Sequence, residues 1–546
     1  MSRGIKVGDM GTGGATTVGG TKTRIAAAAS GVVAAGSGVA AGELVAGFLS
    51  PTLTPVTAVG GWVIDLVPPG VKDWAIALFG TADKAALLVG MALVITLLAA
   101  VAGLVEYRWA GGGSWLVAAA GALGLAAVLT RAQATMIAPV APVAATVVTI
   151  AVLRALIGRL RVQTAEAMAQ NVPSGNAGSD ENEARDAVPP TTSRRSFARA
   201  FGLAAVLAAA GGAVAAVVHR AASVAAEVRG RLSLPTPASP ATPIPAGAEL
   251  GLEGMPPLVT PNGEFYRIDT ALAVPTLNPD EWTLKVTGMV DREVTIDFAT
   301  LLGKPLVERY VTIACVSNEV GGQLIGNARW LGWPVRELLQ QAGPKPGADM
   351  VLSTSSDGFT AGTPLEALTD SRDALLAIGM NGEPLPLEHG FPVRLVVPGL
   401  YGFVSATKWL TTLKVTRFAD DVAYWTPRGW SDHGPIKTQS RIDVPRAGRA
   451  LSAGTVHFGG IAWAQHRGIA RVELRINRGP WQQAVLAPGI SQDTWYQWQF
   501  STDLGRGDYE VQVRATDSTG TPQAEERRAP APDGATGYHT LSIKVG

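Results

Sequence analysis

The chain has 546 residues, one cysteine and a formal net charge of +1, and only 16% of its residues are charged. Its length exceeds what one hydrophobic core supports, so several domains are expected. Balanced charge removes the basic bias that marks nucleic-acid binding, and a single cysteine excludes both a disulfide framework and a CxxC metal site.

The first 220 residues are rich in Ala, Val, Leu and Gly. Runs at 85–105, 109–130 and 132–153 carry no charge, and 200–218 is nearly as long. Each has the ~20 residues that a helix needs to cross the ~30 Å hydrocarbon layer. An Ala/Gly-rich run at 25–49, interrupted by Glu43, completes a reading of about five spans within a membrane region at 25–220. The lipid bilayer is thus an expected partner. Arg3, Lys6, Lys22 and Arg24 precede the first span, and Arg159, Arg161, Arg185, Arg194, Arg195 and Arg199 fall in the loop 158–199. With Arg108 they outnumber Lys72, Lys84 and Arg131 on the opposite side. The Lys/Arg bias therefore predicts a multi-pass plasma-membrane protein with tail 1–24 and loop 158–199 cytoplasmic, and everything after 220 extracytoplasmic. Arg194-Arg195, followed by Phe197 and an apolar run, resembles a twin-arginine export signal; the same arginines also satisfy the positive-inside rule. Five prolines between Pro235 and Pro245 predict a semi-rigid spacer within a linker at 221–254.

From 255 the composition is that of a globular protein. Strand-like runs WTLKVTG, RYVTIAC, DMVLSTS, FPVRLVVPG and WLTTLKVT alternate with helical VRELLQQAG, which predicts an α+β domain at 255–425. From about 450 the pattern is all-β, with Trp463, Trp481 and Trp498 on the strands, so 426–546 reads as a β-sandwich.

The stretches FYRIDTALAVPTLNPDEWTLKVTGMV, RYVTIACVSN, GNARWLGWPVRELLQQAG, MNGEPLPLEHGFPVRLVVPGLYGFVSATKWL and AWAQHRGIARVEL occur in that order. Together they resemble the sulfite oxidase family of molybdopterin-dependent oxidoreductases, and the resemblance is to a membrane-anchored bacterial type. It spans roughly 255–546 and implies a molybdopterin domain followed by an immunoglobulin-like domain used for dimerisation. It also implies oxygen-atom transfer, in either direction, at a molybdenum held by Cys315. Thiolate is a soft donor, and the metal deprotonates a thiol that coordinates it. By the same resemblance, Tyr266, Arg267, Asn318, Asp357, His389, Arg394, Thr407 and Lys408 fall on cofactor positions, and Asp269 stands where the family has a pterin-binding histidine. Arg467 corresponds to an anion-contacting arginine of the second domain, and Arg329 is another cation near the site.

The departures bear on substrate. Where sulfite-oxidising members have Gly-Asn-Arg-Arg after the cysteine, this chain has Ser317-Asn318-Glu319-Val320, which tells against simple sulfite. The family's active-site tyrosine has no counterpart in YWTPRGWSDHGPIKTQS, which carries Trp425 and Trp430 instead. A small oxyanion, a sulfoxide or a similar molecule stays open as substrate. There is no CxxCH motif, and none of the six histidines lies in a proposed span, so no haem is expected and electrons pass to or from a separate partner. Two other readings remain: a cofactor-free surface binding module on the same fold, and a transporter or quinone-interacting role for the membrane half.

Overall fold

The computed structural model describes residues 20–49, 54–66, 83–131, 134, 136–170, 195–206, 208–209, 222–272 and 274–546. The chain divides into a helical unit drawn mainly from its first 219 residues and a second unit that holds residues 220–546.

The helical unit contains α1 (Thr21–Leu49), α2 (Pro55–Leu66), α3 (Asp83–Arg108), α4 (Gly112–Leu129) and α5 (Val140–Gln170). Four of these, α1, α3, α4 and α5, are long and apolar enough to cross a membrane among the described residues; α2 is too short. The expected fifth span at 200–218 has its second half outside the described residues, as does Arg194, whereas Arg195 opens a helical stretch at 195–206. The run read from 132 becomes helical only at Val140, because Pro139 and Pro142 are tolerated only within a helix's first turn.

Small residues set the helix packing. A Cβ on Gly31 of α1 would strike the Ala99 carbonyl of α3, and one on Gly103 of α3 would strike the Ala27 carbonyl of α1. Backbones this close need glycine. On α3, Val89, Leu93, Leu97 and Leu98 turn outward. The acidic residues cap helices. Glu43 accepts from the Val56 N–H of α2 at 3.2 Å, and buried Glu106 accepts from the Gly111 and Ser114 N–H groups of α4 at 3.0 and 2.8 Å. Both offset N–H groups that a helix start leaves unpaired.

In the second unit, α6 (Ala222–Arg231) leads into the proline-rich segment, which is not a free spacer. Arg229 donates to Leu385 O, Ala238 N–H to Leu306 O and Glu308 N–H to Ser239 O, so the segment lies along the α+β domain. Its prolines lack N–H groups, which limits this pairing to Ala238 and Ser239.

The α+β domain holds β1 (Thr283–Gly288), β2 (Val294–Asp297), α7 (Phe298–Leu302), β3 (Val307–Ala314), β4 (Ile325–Pro334), α8 (Val335–Ala342), β5 (Met350–Ser355), β6 (Thr360–Pro364), α9 (Leu365–Thr369), β7 (Leu375–Met380), β8 (Glu383–Pro384), β9 (Arg394–Val396) and β10 (Leu410–Thr416). One sheet runs β2-β1-β10-β5-β6; the other runs β3-β4-β7-β8, with β9 also on β7. Helix α8 buries Val335, Leu338, Leu339 and Ala342, an i, i+3, i+4, i+7 stripe, and stops at Gly343, whose φ is +70°.

The sandwich comprises β11 (Gln439–Val444), β12 (Ala450–Leu451), β13 (Gly454–Trp463), β14 (Ile469–Ile476), β15 (Gln482–Gln483), β16 (Val485–Leu486), β17 (Tyr496–Leu504), β18 (Gly507–Asp517) and β19 (His539–Val545). Sheets β11-β13-β17-β16 and β12-β19-β18-β14-β15 enclose Phe458, Val472, Trp498, Val511 and Leu541. Trp481 lies just outside the strands rather than on one. The boundary also falls later than 426, since Trp430 and Ile436 pack into the α+β core and the first sandwich strand starts at Gln439. The outer edge of β3 is covered on both sides. Ser239 pairs near its start, and further along Thr312 donates to Asp493 O at 2.9 Å while its Oγ1 accepts from Trp495 N–H at 2.8 Å. An edge strand so covered offers no free ladder to other chains.

Candidate active site

Strand β3 delivers Cys315 to the wall of a cavity. Four chain segments meet there. The loop before β1 brings Tyr266, Asp269 and Thr270; the turn after β5 brings Asp357 and Phe359; β9 brings Arg394; and the approach to β10 brings Phe403, Lys408 and Trp409. Trp425 and Trp430 close the remaining side.

The cations sit at one end. Asp269 accepts from Lys408 Nζ and from Arg267 Nε, each at 2.9 Å, and Lys408 also donates to Glu388 O at 3.0 Å. Burial pulls the Lys408 ammonium down to about 8, against the pull of Asp269; Arg394 and Arg267 push the same way as burial. Arg394 is 2% exposed, donates through Nη1 to His389 O at 3.2 Å and lies 5.0 Å from the Trp330 ring. Its Nε has no hydrogen-bond partner among the described residues, and burial lowers the guanidinium to about 10. His389 bonds Asn262 O through Nε2 at 3.1 Å, and its Nδ1 has no hydrogen-bond partner among the described residues. Burial, then the Arg394 and Lys408 charges, hold it near 3, so it is neutral at neutral pH. Tyr266 is raised, first by burial and then by the Cys315 charge, and keeps its proton.

The other expected residues divide. Asp357 lines the cavity, with Oδ2 accepting from Thr270 Oγ1 at 3.3 Å. Thr407 is fully buried and bonded to Ser353 Oγ at 2.7 Å; it sets the chain next to Lys408 and lies outside the wall. Asn318 spends its Oδ1 on Leu324 N–H at 2.8 Å, so it shapes its own loop. Arg329 turns to Glu308 at 3.2 Å, diagonally placed on β3, and Arg467 turns to Asp517 at 3.0 Å and Ile436 O at 2.8 Å. Neither lines the cavity, because each found a carboxylate elsewhere. Sequence reasoning left Phe359, Phe403 and Thr270 out of the site, and no local signal marks them.

The profile of the oxidoreductase molybdopterin-binding domain family matches residues 271–425. The uncharacterised oxidoreductase YuiH of Bacillus subtilis strain 168 is 34% identical over 154 residues, 28% of this chain and 74% of that protein. Human mitochondrial sulfite oxidase is 30% identical over 305 residues, 47% of this chain and 55% of that protein. The chain belongs to the sulfite oxidase family of molybdopterin oxidoreductases. It spans about half the length of the curated sulfite oxidases that it matches. Among solved structures, the sulfane dehydrogenase SoxCD of Paracoccus pantotrophus aligns with a TM-score of 0.46 at 24% identity, over 54% of this chain and 82% of that one.

The residues present fit this family's cofactor. Arg267 and Lys408 share the carboxylate of Asp269, Arg394 has no ion-pair partner among the described residues, and Lys408 and Arg394 are desolvated strongly enough to lower their proton affinity. An anionic group relieves that excess, and the Arg394 Nε and His389 Nδ1 positions are polar atoms still to be satisfied. A family molybdopterin carries the phosphate and ring nitrogens suited to both.

Proposed function

We propose that this chain is a molybdenum oxidoreductase in which Cys315 Sγ holds the metal. Arg394, Lys408 and His389 hold the anionic and polar parts of the pterin, and Asp357 accepts from its amino groups. The observation that carries this reading is the shared wall: the chain's one thiol faces the same cavity as two desolvated cations. When bound, the cofactor supplies two-electron redox chemistry coupled to oxygen-atom transfer. The protein's part is to bind, orient and exclude water. Tyr266, protonated and half-buried beside Cys315, is a donor toward whatever the cavity holds.

The substrate is an organic molecule with an apolar body rather than sulfite. Phe403, Trp430, Trp425, Tyr424 and Phe359 form a continuous arc, with successive ring centroids 6.1, 6.3, 5.1 and 5.7 Å apart, and all but Tyr424 line the cavity. The cations that reach the wall, Arg394 and Lys408, are engaged with His389 O, Asp269 and Glu388 O, and Glu319 is exposed. These cations are the ones assigned to the anionic and polar parts of the pterin, so an oxyanion substrate would compete with the cofactor for them, whereas an apolar group gains its buried area.

The four apolar helices, together with the apolar run at 200–218 as a fifth span, anchor the protein in the plasma membrane, with the N-terminus cytoplasmic and the oxidoreductase unit outside. A separate carrier exchanges electrons with it. The sandwich is of immunoglobulin-like type and offers a homodimer contact. Metal analysis of full-length protein from a cofactor-competent host tests the central claim. Molybdenum in stoichiometric amount, lost in Cys315→Ser, is expected. Wild-type protein without molybdenum overturns it and leaves a binding module.

A further inference from the structure

The nine residues that follow Cys315 leave β3 and return to β4 with little structure of their own, and their two ends are held differently. At the neck the loop closes on itself. Cys315 N–H donates to Leu324 O at 2.9 Å, Leu324 N–H to Asn318 Oδ1 at 2.8 Å and Asn318 N–H to Cys315 O at 3.1 Å. At the tip the partners come from the sandwich. Arg441 Nη1 donates to Gly322 O at 2.6 Å. Gly321 has φ +81°, and a Cβ built there would lie 2.5 Å from the His539 ring, so the imidazole sits directly on its backbone. The two contacts are one device, because His539 Nδ1 accepts from the Ile442 N–H next to Arg441 at 2.9 Å. Arg441 is itself fixed by Asp443 at 2.8 Å, with side chains 2% and 9% exposed.

We infer that Arg441 and His539 of the C-terminal sandwich are positioning residues for Cys315, clamping the tip of the loop whose base carries the thiol. Val316 and Ser317 line the cavity beside Cys315, so a shift of this short loop changes the wall that substrate and cofactor meet. The sandwich also holds the strand before the cysteine, through Asp493 and Trp495 on Thr312. The thiol is thus gripped on both sides by the second domain. The proposal takes Cys315 to be the working residue, in line with the proposed function, but its test does not need the metal.

Because the chain has one cysteine, the rate at which Ellman's reagent modifies cofactor-free, full-length protein in detergent reports this position alone. Arg441→Gln loses a hydrogen bond from a charged donor at the loop tip and should raise the modification rate about ten-fold or more. Arg441→Lys, which keeps a cationic donor, should restore most of the protection. Gly321→Ala changes only the loop; it should also raise the rate, and by less in a His539→Ala background, where the ring it strikes is gone. If Arg441→Gln fails to fold because Asp443 is left buried and unpaired, Arg441→Gln/Asp443→Asn carries the same measurement. Arg514→Ala breaks a sandwich ion pair with Glu473 at 3.0 Å without touching the loop, and serves as the control. Wild-type rates in Arg441→Gln and Gly321→Ala, or an equal rise in Arg514→Ala, overturn the clamp. The Arg441 dependence in cofactor-free protein, together with no molybdenum in wild-type protein from a cofactor-competent host, overturns the cofactor assignment and keeps the clamp.

Discussion

Replacing Asp269 by Asn tests the charge arrangement of the cavity quantitatively. Removing one partner of a buried ion pair ordinarily costs ~3–5 kcal/mol, because the other charge is stranded. Lys408 has an exit, since burial has already brought it to about 8. At about pH 7 its protonated form is favoured by only ~1.4 kcal/mol, and the variant loses no more than this before the lysine sheds its proton. Arg267 is 30% exposed, so its bond to Asp269 adds at most ~1 kcal/mol after solvent screening. The expected destabilisation is therefore about 2 kcal/mol at neutral pH. At about pH 9 Lys408 is already mostly neutral in the parent chain, and the difference should shrink to ~1 kcal/mol or less. Urea unfolding of cofactor-free parent and variant in detergent, followed by tryptophan fluorescence at both pH values, measures this. A loss of ~4 kcal/mol that does not change with pH means that Lys408 stays charged without its partner, and refutes the argument.

Acid should destabilise the second unit. Burial lowers His389 to about 3 and His539 to about 4, so between these values and ~6.5 the unfolded chain binds more protons and stability falls as pH falls. At about pH 5 each histidine costs ~2 kcal/mol; His539→Gln should remove about half of the loss in urea midpoint, and an unchanged pH slope rules the assignment out. Trp425→Ala should raise KM for an organic sulfoxide or thioether roughly ten-fold with molybdenum content unchanged, from ~1–1.5 kcal/mol of ring contact; an unchanged KM removes the aromatic arc from substrate binding. In the helical unit, Gly31→Leu should lower thermal stability through the Ala99 carbonyl by ~1–3 kcal/mol, whereas Gly36→Ala, whose Cβ meets only Ala208 Cβ at 3.8 Å, should be tolerated; equal effects contradict the close crossing of α1 and α3.

What could be read from the chain follows from the range of the forces involved. Strands β13, β14, β17, β18 and β19 and helix α8 were legible because alternation and the 3.6-residue stripe are local consequences of burying one face. Strand β4 was not legible. Its sequence IGNARWLGWP carries two glycines and a proline, which argue against a strand. Gly332 is there because β7 passes too close for a Cβ, with Leu376 O 2.5 Å from where one would sit; Gly326 lies against the Phe265 ring. The same limit separates the arginines. A motif tells that a guanidinium is present, but its direction depends on which carboxylate the fold brings near. For Arg329 that is Glu308 on the neighbouring strand, and for Arg467 it is Asp517 on another sheet strand. Arg394 stays at the cavity because among the described residues no carboxylate forms an ion pair with it.

The same reasoning explains why the second domain is more than an appendage. A cysteine at the end of an edge strand is poorly held by its own sheet, since one side of β3 has no strand partner among the described residues. That side is supplied by residue 239, before β3 in the chain, and by residues 493–495, far beyond it, and the loop beyond Cys315 is held by Arg441 and His539. The thiol therefore has a defined position only when the proline-rich segment, the α+β domain and the sandwich are folded together. Ile461, Trp463 and Trp495 of the sandwich sit in the α+β core cluster, so the two parts share buried apolar surface as well as hydrogen bonds. A cut at the apparent boundary near 426 would uncover that surface and release the β3 edge at once. The oxidoreductase unit should accordingly unfold as one cooperative body rather than as two domains in sequence.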